Sequence, residues 1–170
     1  NTFRSGTSMF VLLGQLLLLL FCAHHAHAAA SLVPCPSGEI IAVVVLDAGL
    51  DYELYDCWVH GGGQIVVNGT VGASLRLERV QLTDPDGDFS VWVDGTSAAV
   101  RLIVVNSFVN SSVELNEGNI VVWNALQSGN AVLISNNVFA GRSTITFGSS
   151  FKLDATSSIT INFRKMMYVI

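Results

Sequence analysis

Asp84, Asp86 and Asp88 stand at alternate positions in the string DPDGD, a spacing with which a loop could offer oxygen ligands to a cation. A calcium loop of the EF-hand type needs glycine at its sixth position and glutamate at its twelfth. Counted from Asp84, those positions hold Phe89 and Gly95, so the string reads as a solvated Pro–Gly turn. His24, His25 and His27 are dense enough to bind a metal on paper, but they fall in a stretch expected to be cleaved away. His60 is the other histidine, and no Ser or acidic partner is placed to complete a triad with it. The run Gly61, Gly62, Gly63 lacks the lysine and the following helix of a phosphate loop, so it is expected to be a flexible turn. No catalytic residue, metal ligand or cofactor is assigned.

Covalent chemistry is better marked. Cys35 and Cys57 remain once Cys22 leaves with the cleaved segment, and an even pair in an oxidising compartment predicts a disulfide. Asn68-Gly69-Thr70 and Asn110-Ser111-Ser112 fit the N-x-[ST] glycosylation pattern. Both are expected in turns between strands, with Asn110 the stronger acceptor because Asn68 also suits a tight turn. Trp58, Trp92 and Trp123 come at near-repeat spacing. They are expected to be packed, and would stack on sugar rings only if exposed on one face.

The compartment is read from the amino terminus. Residues 11–22 form an apolar run too short for a comfortable membrane span, followed by Ala26-His27-Ala28 and then Ala29-Ala30. Residues 1–30 are therefore expected to be a secretory signal peptide, cut between Ala28 and Ala30. The chain carries eight Lys and Arg against thirteen Asp and Glu, and Arg4 is the one charge inside that leader. An acidic chain with scattered bases argues against a nucleic-acid partner, which demands a basic face. Membrane attachment would need a segment missing from this chain.

The elements that position these residues are short and β-prone. Runs at 40–46, 64–68, 74–82, 89–93, 99–108, 113–116, 119–123, 131–139, 143–147 and 158–163 are rich in Val, Ile, Thr and Phe, with Gly, Asn, Asp and Ser between them. LIVVNSFVNSSVELNEG (102–118) is echoed 31 positions later by LISNNVFAGRSTITFGS (133–149). CWVHGG (57–62) is echoed by VWVDGT (91–96). Recurrence of this kind marks a solenoid, whose units bury their apolar faces only by stacking. The expected fold is all-β: a partial, right-handed parallel β-helix of the pectin-lyase type over 31–170. Leu102 and Leu133, Asn106 and Asn137, and Phe108 and Phe139 are expected to stack, with the asparagines forming a corner ladder. The competing architecture is an antiparallel β-sandwich, in which Asn68-Gly69 would close a hairpin.

The segments VVVLDAGLDYELYDCWVHGGGQIVVNGT, SLRLERVQL and AVRLIVVNSFVNSSVELNEGN resemble the amino-terminal part of the trypanosomatid dispersed gene family protein 1. That family consists of large surface glycoproteins with β-helix-like repeats. The resemblance rests on repeat texture over about residues 31–160 and implies an extracellular, glycosylated solenoid with a role in adhesion or host contact. It supplies no catalytic residue. The ending FRKMMYVI departs from the polar repeat style, so a truncated copy is part of the expectation.

These readings point to a secreted or cell-surface glycoprotein, non-enzymatic, whose partners are a host-cell or matrix surface and its glycans. One alternative is a carbohydrate-active β-helix enzyme resembling a polysaccharide lyase or galacturonase. Against it, Glu78, Asp94, Glu114 and Asp154 do not recur at matched positions. The other alternative is a non-functional truncated copy.

Overall fold

The computed structural model describes residues 30–46, 50–68, 73–96, 99–112, 115 and 117–167. The expected signal peptide lies outside the described residues except for Ala30. No helix among the described residues is long and apolar enough to cross a membrane.

The strands fall into successive coils of three short arms, here called a, b and c. The first coil contains β1 (Ser31–Leu32), β2 (Glu39–Ile40) and β3 (Val43–Leu46). The second contains β4 (Asp51–Tyr55), β5 (Trp58–Gly61) and β6 (Gln64–Val67). The third contains β7 (Ala73–Glu78), β8 (Gln81–Pro85) and β9 (Val91–Asp94). The fourth contains β10 (Val100–Val105), β11 (Phe108–Ser111) and β12 (Ile120–Trp123). In the fifth, arms a and b run together as β13 (Ala131–Gly141), followed by β14 (Ile145–Phe147). β15 (Ser158–Met167) begins a sixth coil and pairs along β13.

All the strand pairs are parallel, and each joins an arm to the same arm of the next coil. Five arm-c strands stack as β14-β12-β9-β6-β3, so the chain makes about four turns between β3 and β14. The protein is a parallel β-helix. The hairpin reading of Asn68-Gly69 fails with the sandwich, because β6 pairs in parallel with β3 and β9.

Alternation along each arm turns one set of side chains inward, and stacking aligns them in columns. Tyr52, Leu75, Leu102 and Val132 form one arm-a column, and Leu54, Leu77, Val104 and Ile134 form the next. Arm b contributes Ile40, Val59, Leu82, Val109 and Phe139. Arm c contributes Ile65, Val91 and Ile120, then Leu46, Val67, Val93 and Val122. Most of these are fully buried, and each such side chain stabilises the coil by about 1.5–3 kcal/mol. The core is thus a stack of aliphatic layers, and no single coil could form it alone.

The bend from arm a to arm b is made by one left-handed residue in each of the second to fifth coils: Asp56 (φ 50), Arg79 (φ 55), Asn106 (φ 52) and Asn136 (φ 57). Asn and Asp tolerate this conformation better than other residues with a Cβ. Arg79 does not share that tolerance, and its bidentate contact with Asp56 helps hold it there (2.6 and 2.8 Å). The corner amides still bond upward, Asp56 N to Glu78 O, Arg79 N to Val105 O and Asn106 N to Ser135 O. The ladder therefore passes unbroken around the bend.

Three fully buried asparagines plug the three bends in the upper coils. Asn137, at the a–b bend, accepts from Ser107 N (2.7 Å) and donates to Val104 O (2.7 Å). Asn119, before β12, accepts from Thr144 N, and its amide reaches Ser90 Oγ. Asn130, before β13, accepts from Val100 N and donates to the carbonyls of Ala125, Gln127 and Lys152. Where a bend leaves backbone groups facing inward, these amides replace the missing strand partner.

The register corrects the expected equivalences by one residue. Leu102 stacks on Val132, Ile103 on Leu133, Phe108 on Val138 and Val109 on Phe139. Leu102 is buried whereas Leu133 is 38% exposed, so the pair of leucines lies on opposite faces. The solvent-facing ladder is Asn106 with Asn136, whose Nδ2 donates to Asn106 Oδ1. Asn137 is inside. The second echo joins different faces: 57–62 leads into arm b, whereas 91–96 begins in arm c. Of the expected run 113–116, Leu115 lies outside any strand and the rest lies outside the described residues.

Candidate binding face

The outer surface of arm b gathers the polar and aromatic side chains that the core excludes. Its first column runs Glu39, Trp58, Gln81, Phe108, Val138, and its second runs His60, Thr83, Asn110, Ala140. Both columns follow from alternation, since Val59, Leu82 and Val109 between them point inward and are fully buried. Trp58 is 43% exposed. Its indole stacks on His60 with ring centroids 3.7 Å apart, and its Nε1 donates to Thr83 Oγ1 at 2.6 Å. His60 Nε2 in turn meets Glu39 Oε2 at 3.0 Å. Three coils thereby hold one tryptophan in a fixed pose, which removes much of the entropy cost of using it as a contact.

Beside this column, at the a–b bend, lies a groove of about 250 Å³ lined by Arg79, Gln81, Asn106, Phe108, Asn136 and Val138, among others. Arg79 spends its guanidinium on protein carboxylates, with Nη1 on Glu78 at 2.8 Å and Nε and Nη2 on Asp56. The first effect of that pairing is to raise the Arg79 pKa and lower that of Asp56. Arg76 also binds Glu78 (2.7 Å), and its pKa is raised mainly by that hydrogen bond. Tyr55 donates to Glu53, a bond that raises its pKa. Arg79 thus ties the third coil to Asp56 of the second, and Arg76 and Arg79 share Glu78 within the third, while the groove beside them presents amides and an aromatic ring.

The remaining sequence-marked residues are dispersed. Cys35 and Cys57 form a disulfide that ties the segment before β2 to the segment before β5. Asn68 follows β6 and is exposed, with Gly69 and Thr70 outside the described residues. Asn110 lies within β11, half-buried on the outer face, and is not in a turn as expected. Ser112 of the same sequon is held by Asp84, which accepts from its amide (2.7 Å) and its hydroxyl (2.8 Å). No group of His, Cys, Asp and Glu suited to a metal ion occurs among the described residues. His24, His25 and His27 lie outside them.

Gly61–Gly63 is not a loose turn. A Cβ on Gly63 would sit 2.0 Å from Ile40 O, so the bend from β5 to β6 packs its backbone onto the coil beneath. The tryptophans also separate by role. Trp92 and Trp123 lie on arm c, 5.4 Å apart between ring centroids, with Phe89 5.2 Å from Trp92. Both are half-buried, whereas Trp58 on arm b is the exposed one.

Chemically, the arm-b face is polar and aromatic. Among the described side chains of its two columns the single carboxylate is Glu39, already engaged by His60. Acid–base cleavage of a glycosidic bond usually needs two carboxyl groups flanking it. Gln81 and Asn136 were not marked by sequence reasoning, and Phe108 entered it only as an expected stacking partner of Phe139. The signal that finds Gln81 and Phe108 is positional: an outward residue follows two places after each left-handed corner, as in Asp56/Trp58, Arg79/Gln81 and Asn106/Phe108, and Asn136 is itself such a corner.

No family model, curated protein or solved structure matches the chain.

Proposed function

We propose that this chain is a non-enzymatic extracellular contact module, adhering to a cell or matrix surface through the outer face of arm b. The observation that carries the reading is Trp58, exposed yet fixed by His60 and Thr83, at the head of a column continued by Gln81 and Phe108. A rigid, amphipathic aromatic on a flat lattice is the kind of group that dominates contact energetics. The extracellular part of the reading is supported by the leader-like residues 1–30, by the Cys35–Cys57 pair and by the two sequons. Of the two sequons, Asn68 is the better glycan acceptor, because it is exposed and Asn110 is half-buried in a strand. The resemblance to a family of trypanosomatid surface glycoproteins points the same way and makes host contact the expected setting.

The test is binding of the fluorescently labelled chain, secreted from eukaryotic cells, to mammalian cells and to extracellular matrix. The reading expects saturable binding that falls at least fivefold in Trp58→Ala while thermal unfolding is unchanged. Binding indifferent to Trp58, or turnover of an acidic polysaccharide by the wild-type chain, would replace it, the latter with a lyase-like function.

A further inference from the structure

We infer that the arm-b groove takes a neutral, extended oligosaccharide laid along the solenoid axis, one sugar to each coil. This deepens the contact reading above and rests on it. Three observations converge. First, Trp58, Gln81 and Phe108 occupy one register column on three successive coils. Neighbouring parallel strands lie about 4.8 Å apart, close to the advance of one pyranose unit along an extended glycan. The column therefore presents a ring, an amide and a ring at the repeat of the ligand. The C–H face of a sugar stacks on an aromatic ring, and its hydroxyls seek amides.

Second, the groove supplies amides with unused capacity. Asn136 Nδ2 is spent on Asn106 Oδ1, which leaves Asn106 Nδ2 to donate and Asn136 Oδ1 to accept. The Gln81 side chain makes no hydrogen bond to another described residue and is exposed. Groups that both donate and accept match a hydroxyl, which does the same. At about 250 Å³ the groove has room for a sugar ring resting on Phe108.

Third, the charges choose between neutral and acidic sugars. Among the described side chains lining the groove the cation is Arg79, and three of its five N–H donors are committed to Asp56 and Glu78. A uronate would have to displace those carboxylates or meet them at close range, and like charges so placed repel. A neutral glycan leaves the cluster intact.

The experiment is calorimetric titration of the full secreted chain with cellohexaose, mannohexaose and hexagalacturonate, run beside the cell-binding assay. A neutral hexasaccharide is expected to bind, and titration with its shorter oligomers of one to five sugars is expected to show affinity that grows to three sugars and then levels, because the column spans three coils. Phe108→Ala is expected to weaken binding about tenfold and Gln81→Ala several-fold. Trp92→Ala, on arm c, leaves it unchanged. Unfolding curves confirm that each variant is folded. Tighter binding of hexagalacturonate, or full affinity in folded Phe108→Ala, overturns the inference. Silence from the neutral glycans while cell binding persists also overturns it and leaves the contact reading standing. Absence of both overturns both.

Discussion

Asn136 and Asn137 are adjacent and chemically identical, yet the fold gives them opposite duties. Asn136 takes the left-handed corner and faces solvent, whereas Asn137 is fully buried and satisfies Ser107 N–H and Val104 C=O. Removing a buried partner costs about 1–3 kcal/mol for each group left unsatisfied. Asn137→Ala is therefore expected to lose about 3 kcal/mol in urea unfolding, and Asn136→Ala well under half of that. Equal losses would show that the two are not separated by the bend.

The corner charges give a pH signature. Asp56 is held below the usual carboxylate range, first by its hydrogen bond from Arg79, and Asp154 by the Thr156 hydroxyl. A depressed folded-state pKa contributes stability above the unfolded value, about 4, and loses it as pH falls through the folded one. Asp56→Asn is accordingly expected to lose less stability than wild type as pH falls below about 4. Urea midpoints across the acid range measure it, and parallel curves for the two proteins would contradict it.

At the scale of elements, strand identity was legible and register was not. Val, Ile and Leu at alternate positions announced most arms, and turn residues announced the gaps. β4 (DYELY) and β5 escaped because their outward positions carry Asp51, Glu53, Trp58 and His60, which dilute the apolar signal. The run at 74–82 read as one strand because Arg79, an unlikely corner residue by type, hides the bend between β7 and β8. Matching Leu102 to Leu133 and Asn106 to Asn137 followed residue type, whereas stacking follows the face. With a period of two, a slip of one exchanges inside for outside. The arm-b column stayed hidden for the same reason: Trp58, Gln81 and Phe108 share a position and no residue type.

The glycine bend belongs to this scale as well. Since a Cβ on Gly63 would meet the Ile40 carbonyl, a backbone atom of the first coil, the neighbour cannot swing aside. Gly63→Ala is expected to cost about 3 kcal/mol through displacement of β2 and β3. Hydrogen exchange should show that loss in the first coil, with β10 to β13 still protected. A stability unchanged from wild type would restore the flexible-turn reading.

Across the whole molecule, the described strands pair between adjacent coils, so stability is approximately a sum of stacking steps. The Cys35–Cys57 bridge ties the first coil to the second. The binding proposal depends on the same geometry, because only in-register stacking turns three dissimilar residues into one platform. That register is open to a direct measurement. Residues at one corner position of adjacent coils lie about 4.8 Å apart, within the Cα range a disulfide spans. Asn106→Cys/Asn136→Cys, air-oxidised and mapped by non-reducing peptide mass spectrometry, is predicted to form a bridge between the two new cysteines. Asn106→Cys/Asn137→Cys, with one thiol outside and the other in the core, is predicted to remain reduced. A bridge at 106–137 in place of 106–136 would contradict the stacking, and with it the face on which the function is proposed.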